Sequence, residues 1–151
     1  MRAIPQTKAA YDWMLQAYEA EVSRSMAASN ILAVNRLDET RDAIERGLFV
    51  VLFGQFEQSV TMIFEEARDT RSNNPDWHNR RGWDVPAYRD RRIQFETKLA
   101  LLLDQRLPEK SKVLRAYALR NHCAHGGTSE PVGSIDEFIK DLYTWVGLLR
   151  R

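Results

Sequence analysis

Several features that commonly define a protein class are scarce in this chain. Cys123 is the only cysteine, which excludes an internal disulfide framework and fits a reducing compartment. The net charge is only +1, so no global basic field indicates a nucleic-acid binder. The longest uncharged run, 47–56, is too short to span a bilayer, and the N-terminus lacks the apolar core of a signal peptide. We therefore expect a cytoplasmic protein with no membrane segment.

The chain also lacks the pattern of a β-protein. No pair of alternating apolar runs is joined by a hairpin turn, and the apolar residues instead recur every three or four positions. The 151 residues, of which 44% are hydrophobic, are enough for one domain with a substantial core. The sequence therefore predicts an all-α fold, a four- to five-helix up-and-down bundle that forms a single domain over 1–151.

The strongest helical pattern covers 38–68, where apolar residues recur at i, i+3, i+4 and i+7. An earlier helix, capped by Thr7, is predicted to precede it. The segment 31–37 between the two is either a linking turn or the start of the longer helix. Gly47 and Gly54 lie seven apart on that helix. They indicate a kink, a tolerated cost of about 1 kcal/mol each, or the close approach of another helix.

The rest of the chain divides at its Pro, Gly and Asn residues. The range 70–88 has the composition of a long loop, and a helix is predicted to follow over 89–105. A fourth helix is predicted to start near Pro108 and to end at Gly126, where a glycine would take the position after the C-cap. Ser134 then has the pattern of an N-cap for the last helix.

Two histidines, an arginine and an asparagine fall within six residues at the end of the fourth predicted helix. Asn121 and His125 are four apart, so on a helix they share a face, and a hydrogen bond between them would orient the imidazole. The planar fork of Arg120 suits two phosphate oxygens, and histidine exchanges protons near neutral pH. A proton-transfer group beside a phosphate clamp is the minimum for cleaving RNA without a metal, by attack of the 2′-hydroxyl on its own phosphodiester.

The same residues allow other interpretations. Taken alone, Arg120 and His125 are more often capping and solvated groups of a helix end. His122, Cys123 and His125 are potential metal ligands, but zinc normally takes four and His78 is the only other histidine, so we expect no metal site. Nothing shows that a histidine activates Cys123 as a nucleophile, so we interpret it as a small core residue. His122 is then a spacer or a site-shaping group.

The run Arg120-Asn121-His122-Cys123-Ala124-His125 resembles the Arg-Asn-x-x-x-His motif of the HEPN superfamily (higher eukaryotes and prokaryotes nucleotide-binding). The helical layout over about 8–149, with the motif before the final helix, is similar to that of the family. The resemblance implies a metal-independent endoribonuclease without a cofactor. It also implies a homodimer in which two copies of the motif face one another across a shared cleft.

The resemblance further implies a role for each motif residue. His125 would be the acid/base group, Arg120 the phosphate contact, and Asn121 the residue that orients His125 or the substrate. Many members of the family act as toxins or phage-defence effectors, often beside a neutralising antitoxin or regulatory protein. Others have lost catalysis and serve as interaction modules.

Two further groups are candidates for the site. Glu57 is an acid in an apolar part of the long helix, where it would either pair with Arg120 as a site-shaping residue or face solvent. The region 71–92 holds six arginines against three aspartates, interleaved with aromatic residues. Arginines on phosphates and aromatics stacked on bases are the usual contacts to single-stranded RNA. The RNA-binding candidates are Arg80, Arg81, Trp77 and Trp83, although both tryptophans could equally cover the bundle.

The sequence leaves two main functions in competition, and a third, metal-dependent chemistry at His122 and His125, is the weakest. The leading hypothesis is a homodimeric HEPN-type endoribonuclease that cleaves RNA as a toxin or phage-defence effector. The rival is a non-catalytic helical module that binds a protein partner or a nucleotide, which the broad apolar surface of the long helix and the near-neutral charge favour.

Overall fold

The computed structural model describes residues 3–83, 93–126 and 130–149, and all the regular elements in these ranges are helices. The predicted all-α class is therefore confirmed. In the described ranges the helices are α1 (Ile4–Ala27), α2 (Ile31–Ser72), α3 (Trp77–Arg80), α4 (Phe95–Leu102), α5 (Glu109–Ala124) and α6 (Ile135–Leu148).

The six described helices exceed the predicted four or five because a single turn, α3, forms inside the segment predicted as a loop. Asp76 explains that turn, since its side chain accepts a hydrogen bond from the His78 N–H as an N-cap does. The helix predicted over 89–105 is present as Phe95–Leu102, and its first residues, 89–92, lie outside the described residues.

The long helix α2 is the element on which the others pack. It contacts α1, α3, α4, α5 and α6. Its 42 residues extend about 63 Å at 1.5 Å per residue. The ambiguous segment 31–37 belongs to it, because the Asn30 side chain accepts a hydrogen bond from the Ala33 N–H at 3.1 Å and caps the helix there. Ser29, in the left-handed region with φ +53°, turns the chain just before this cap.

The prediction that Thr7 caps the first helix is wrong. α1 begins at Ile4, with Pro5 in its first turn, where a missing N–H costs no helical hydrogen bond. Thr7 lies inside the helix, and its hydroxyl donates to the Ala3 carbonyl at 2.9 Å. The N-cap predicted at Ser134 is confirmed, since its hydroxyl accepts from the Glu137 N–H at 3.3 Å.

Aromatic side chains fill the centre of the bundle. The ring of Phe53 on α2 lies 5.7 Å from that of Phe95 on α4, 6.0 Å from that of Tyr117 on α5 and 6.5 Å from that of Phe138 on α6, between ring centroids. These distances are those of favourable aromatic pairs. One residue of α2 thus joins three other helices, which fixes the position of α5 against α2.

The N-terminal half of α2 and most of α1 extend beyond this core. Between residues 16 and 47 no described residue joins the core cluster. A polar contact joins the two helices at its edge, where the hydroxyl of Tyr11 on α1 donates to Oε1 of Glu45 on α2 at 2.8 Å. Nε of Arg41, one turn earlier on α2, donates to the same oxygen at 2.8 Å. Burial, followed by the hydrogen bond to Glu45, raises the pKa of Tyr11 to about 12.

By length and composition α2 could cross a membrane. An 18-residue window has a mean hydropathy of 1.4, and 39% of that window is buried inside the bundle. The central helix of a helical bundle has the same properties, so this is weak evidence for a membrane span.

Gly47 and Gly54 make no close contact with another helix of the chain. A Cβ added at either position would meet no described atom within 4 Å. The close approach considered from the sequence is therefore not made within one copy. A tolerated cost in helix propensity and the approach of a second chain both stay compatible with this geometry.

Candidate functional site around Arg120

The end of α5 carries the Arg-Asn-x-x-x-His residues. The helix closes at Ala124, and His125 follows as its C-cap, with its backbone N–H donating to the Asn121 carbonyl at 3.2 Å. Gly126 then takes a left-handed φ of +68°, which glycine adopts without strain. The predicted termination of this helix at Gly126 is confirmed.

The Arg120 side chain turns inward from α5 to α2. Its Nη2 lies 2.8 Å from Oε2 of Glu57 in an ion pair, and its Nη1 donates to Oδ1 of Asn121 at 2.9 Å. The side chains of Arg120 and Glu57 are 29% and 21% exposed, so the ion pair is largely shielded from water. Nε of Arg120 is buried and has no hydrogen-bond partner among the described residues. Of the two interpretations of Glu57, the structure agrees with the one in which its carboxylate pairs with Arg120.

Asn121 differs from its expected arrangement. Its side chain accepts from Arg120, and no hydrogen bond joins it to the His125 imidazole in the described part of the chain. Two local causes explain this: the guanidinium of Arg120 is a charged donor, and α5 ends before His125. Asn121 therefore orients Arg120 in this structure.

A groove of about 510 Å³ opens beside the ion pair. Five of its lining residues lie on one face of α2, at i, i+3, i+4, i+7 and i+8, and Arg120 supplies the remaining wall. The residues that line it are Gly54, Glu57, Gln58, Thr61, Met62 and Arg120. Lys98 of α4 donates from Nζ to Oγ1 of Thr61 at 2.9 Å, which brings a second cation to the groove wall.

The groove has mixed charge around one carboxylate. Burial raises the pKa of Glu57 above its ordinary value, and the positive charges of Arg120 and Lys98 lower it by a smaller amount. The groove therefore combines a guanidinium that suits phosphate with a carboxyl whose basicity is increased.

His125 does not share this groove with Arg120. Both His122 and His125 are exposed, and neither lines the groove. Positions five apart on an α-helix lie about 140° apart around its axis, so α5 itself turns His125 away from Arg120. One copy of the chain thus brings together Arg120, Asn121 and Glu57 and leaves His125 outside the groove.

Cys123 is a poor nucleophile in this setting. Its half-buried side chain packs against the hydrophobic core. Burial raises the pKa of its thiol, and the charge of Arg46 opposes this effect only in part. Because the thiolate is the reactive form, the environment suppresses reactivity. No group of three or more potential metal-ligand side chains occurs in the described ranges.

The two tryptophans of the predicted RNA-binding region differ in exposure. Trp83 is 8% exposed, with its ring 6.0 Å from that of Phe64 and 4.8 Å from the guanidinium of Arg71. Trp83 therefore covers the bundle, which is one of the two alternatives that the sequence left open for this residue. Trp77 is 56% exposed, and the guanidinium of Arg80 lies 5.6 Å from its ring centroid.

The surface at α3 therefore exposes two of the candidates, Trp77 and Arg81, whereas Arg80 is half-buried and its Nη1 donates to the Asn74 carbonyl at 3.0 Å. Arg81 is exposed beside Trp77 and Arg80. The other arginines counted in this region, Arg89, Arg91 and Arg92, lie outside the described residues.

Sequence reasoning missed Thr61 and Lys98. Thr61 lies four residues after Glu57 on α2, so helical spacing alone could have placed both on one face. Lys98 is 37 residues from Thr61 in the chain, and only the packing of α4 on α2 brings it to the groove.

Comparison with known proteins gives no relative from which a role could be transferred. No protein-family model, curated protein sequence or solved structure matches this chain. The resemblance to the HEPN superfamily therefore stays a prediction from the sequence, made from Arg120, Asn121 and His125 and the predicted helix order.

Proposed function

We propose that the chain is a metal-independent endoribonuclease of the HEPN type that works as a homodimer. In this proposal residues 1–151 form one HEPN-like domain with an up-and-down helix order. The observation that carries the proposal is the position of Arg120, whose guanidinium lies in a groove beside a carboxylate and is oriented by the adjacent Asn121. A shielded guanidinium in a concave surface is suited to bind the phosphate of an RNA backbone.

The proposed reaction uses the RNA's own 2′-hydroxyl as nucleophile. This oxygen attacks the adjacent phosphorus, and the product ends are a 2′,3′-cyclic phosphate and a 5′-hydroxyl. Arg120 binds the phosphate oxygens and stabilises the negative charge that develops on them. His125 is the acid/base group, since an exposed imidazole can exchange protons with substrate near neutral pH. The proposal requires no cofactor.

A second copy would complete the site. Because α5 turns His125 away from its own Arg120, the two groups meet most simply when they come from different copies. α2 offers a face for this contact, with Ile44, Val51 and Met62 37%, 52% and 70% exposed. Gly47 and Gly54 lie on the same helix with no described atom against them, which lets a second helix approach closely. Exposed apolar surface of this kind favours protein association.

The α3 surface is the proposed path of the RNA away from the cleavage point. The exposed ring of Trp77 can stack on a base, and Arg80 and Arg81 can contact phosphates. The proposed setting is the cytoplasm, without a membrane, where the enzyme acts as a toxin or phage-defence effector. An antitoxin or regulatory protein would be its natural partner.

The test is cleavage of RNA by purified protein in EDTA. We expect cleavage with 2′,3′-cyclic phosphate ends, loss of activity in His125→Ala, and full activity in His78→Ala. His78 is a matched control because it is also an exposed histidine and lies on α3. Full cleavage by His125→Ala would overturn the assignment of His125, and intact RNA with the wild-type chain would overturn the function.

One observation favours the rival function of a non-catalytic module for a protein partner. The part of α1 and α2 beyond the core exposes Trp13, Met26, Ile31 and Leu32, each more than 60% accessible. The range 12–45 also holds seven carboxylates and three arginines, so the same surface is acidic. In this alternative the purified chain leaves RNA intact and causes no growth defect when overexpressed, and Arg120 serves only to join α5 to α2.

A further inference from the structure

Cleavage by the proposed route needs two proton transfers. One group removes the proton of the 2′-hydroxyl, and another protonates the leaving 5′-oxygen. A base for the first transfer must lie within hydrogen-bond reach of a substrate whose phosphate is bound by Arg120. His125 lies outside the groove that contains Arg120, whereas Glu57 lines it. Glu57 is thus the nearest proton acceptor to the phosphate position.

The two oxygens of the Glu57 carboxylate have different partners. Oε2 lies 2.8 Å from Nη2 of Arg120 and forms the ion pair with it. Oε1 accepts no hydrogen bond from the described part of the protein, and the side chain that carries it lines the groove. A guanidinium has five N–H donors, so Arg120 can hold Glu57 and a phosphate oxygen together. A phosphate in that position brings the neighbouring 2′-hydroxyl towards Oε1.

From these contacts we infer that Glu57 is the general base of the site, a catalytic residue that removes the proton of the 2′-hydroxyl. The inference rests on the proposed ribonuclease function and assigns its two proton transfers to different residues. The 2′-oxygen bonds to phosphorus as the bond from phosphorus to the 5′-oxygen breaks. The 2′-hydroxyl proton goes to Glu57, and the leaving oxygen takes a proton from the His125 imidazolium. Atoms and charge balance without a further reactant.

The surroundings of Glu57 suit this role. Two cations face it from the elements packed against α2: Arg120 from α5, and Lys98 from α4, whose ammonium is bonded to Thr61. Gln58 and Met62, which line the groove on α2 itself, are uncharged. Burial raises the pKa of Glu57 and makes it a stronger base, while the two cations keep it ionised.

The first experiment measures single-turnover cleavage of RNA in EDTA from pH 4.5 to 8.5. Glu57→Gln should lower the rate about 10²–10⁴-fold, the usual range for a general base. It should also remove the acidic limb, the part of the profile in which the wild-type rate rises with pH as Glu57 ionises. Glu57→Asp should keep the limb at a reduced rate. Glu65→Gln is the matched control, because Glu65 is an exposed glutamate of the same helix, and it should behave as wild type.

A second substrate separates the base from the acid. In uridine 3′-(4-nitrophenyl phosphate) the leaving group needs no proton, so an acid is dispensable and a base is not. His125→Ala should therefore regain most of its activity on this substrate, and Glu57→Gln should remain slow. The opposite pattern would assign the base to His125 and overturn the inference.

The remaining outcomes are also decisive. If the acidic limb persists in folded Glu57→Gln, or if this variant loses only RNA affinity and keeps its cleavage rate, Glu57 has a structural role. Either result overturns the inference and leaves the proposed function standing. Circular dichroism establishes that each variant is folded, and Glu57→Asp supplies the test if Glu57→Gln is not. A wild-type chain that leaves RNA intact instead overturns the proposed function and the inference with it, whereas His125→Ala that cleaves RNA fully overturns the assignment of the acid to His125.

Discussion

The ion pair between Glu57 and Arg120 should couple the stability of α5 to that of α2. The charge centres of such a pair are about 4 Å apart, where the attraction is about 1 kcal/mol in water and about 4 kcal/mol at an effective dielectric of 20. The side chains are 29% and 21% exposed, so water still screens part of this attraction. We expect a net coupling of about 1–2 kcal/mol, above the range of solvent-exposed pairs.

The coupling is measured with a double-mutant cycle. Glu57→Gln, Arg120→Met and the double variant are unfolded in urea, and the difference from additivity gives the interaction free energy. The exposed pair of Glu21 and Arg24 is the control, with side chains 44% and 74% exposed. Its cycle should give about 0.5 kcal/mol or less. Equal interaction free energies in the two cycles would show that burial does not strengthen the ion pair of Glu57 and Arg120.

The pH dependence of the unfolding free energy of wild type and Glu57→Gln tests the direction of the pKa shift of Glu57. Because burial raises the pKa of Glu57 in the folded state, the folded carboxyl binds its proton more tightly than the unfolded one. The stability that this group contributes is therefore fully present below its ordinary pKa of 4.5 and is lost as pH rises through the raised value. Wild type should gain stability relative to Glu57→Gln as pH falls from 7 to 4.5, and a relative loss would contradict the burial effect.

Three other predictions concern the surface and the cysteine. Cys123→Ser should leave RNA cleavage unchanged. In the wild-type protein the Cys123 thiol should react with Ellman's reagent well below the rate of free cysteine at pH 7.5, because burial raises its pKa. A fast-reacting thiol or an inactive variant would contradict this. Val51→Arg should convert the proposed dimer to a monomer, as measured by light scattering. Tyr143→Arg, at a site of nearly equal exposure on α6, should leave the dimer intact. A dimer that survives Val51→Arg would place the interface elsewhere. Trp77→Ala should weaken binding of single-stranded RNA about 5- to 100-fold, because stacking of one base contributes about 1–3 kcal/mol. Trp13 is another exposed tryptophan, and Trp13→Ala should bind RNA as wild type does. Equal loss of binding in both variants would exclude stacking on Trp77.

Local patterns in the sequence were sufficient to predict much of the fold. The apolar repeat over 38–68 predicted the body of α2, and Ser134 and Gly126 predicted two helix ends whose causes are local. The start of α2 could not be predicted from periodicity, because Ile31 and Leu32 are exposed apolar residues outside the core. The Asn30 cap, a single hydrogen bond, decides it instead.

The candidate site was predictable only in part, because it depends on contacts between distant segments. Pairing of Glu57 with Arg120 was one of two interpretations that their chemistry allowed, and the packing of α5 on α2 brings the two side chains together. The groove beside them, with Lys98 bonded to Thr61 of its lining, requires the positions of three helices. Likewise, Trp77 and Trp83 are the same residue type in one segment, and only tertiary packing makes one exposed and the other buried.

In the proposed dimer Arg120 of one copy acts with His125 of another, and mixing two inactive variants tests this arrangement. Arg120→Ala and His125→Ala chains are combined, exchanged through mild denaturant, and assayed for RNA cleavage in EDTA. A mixed dimer has one site with both groups intact, and random pairing makes half of the dimers mixed, so the account predicts recovery of about a quarter of wild-type activity. A mixture that forms mixed dimers and stays as inactive as either variant alone would contradict it.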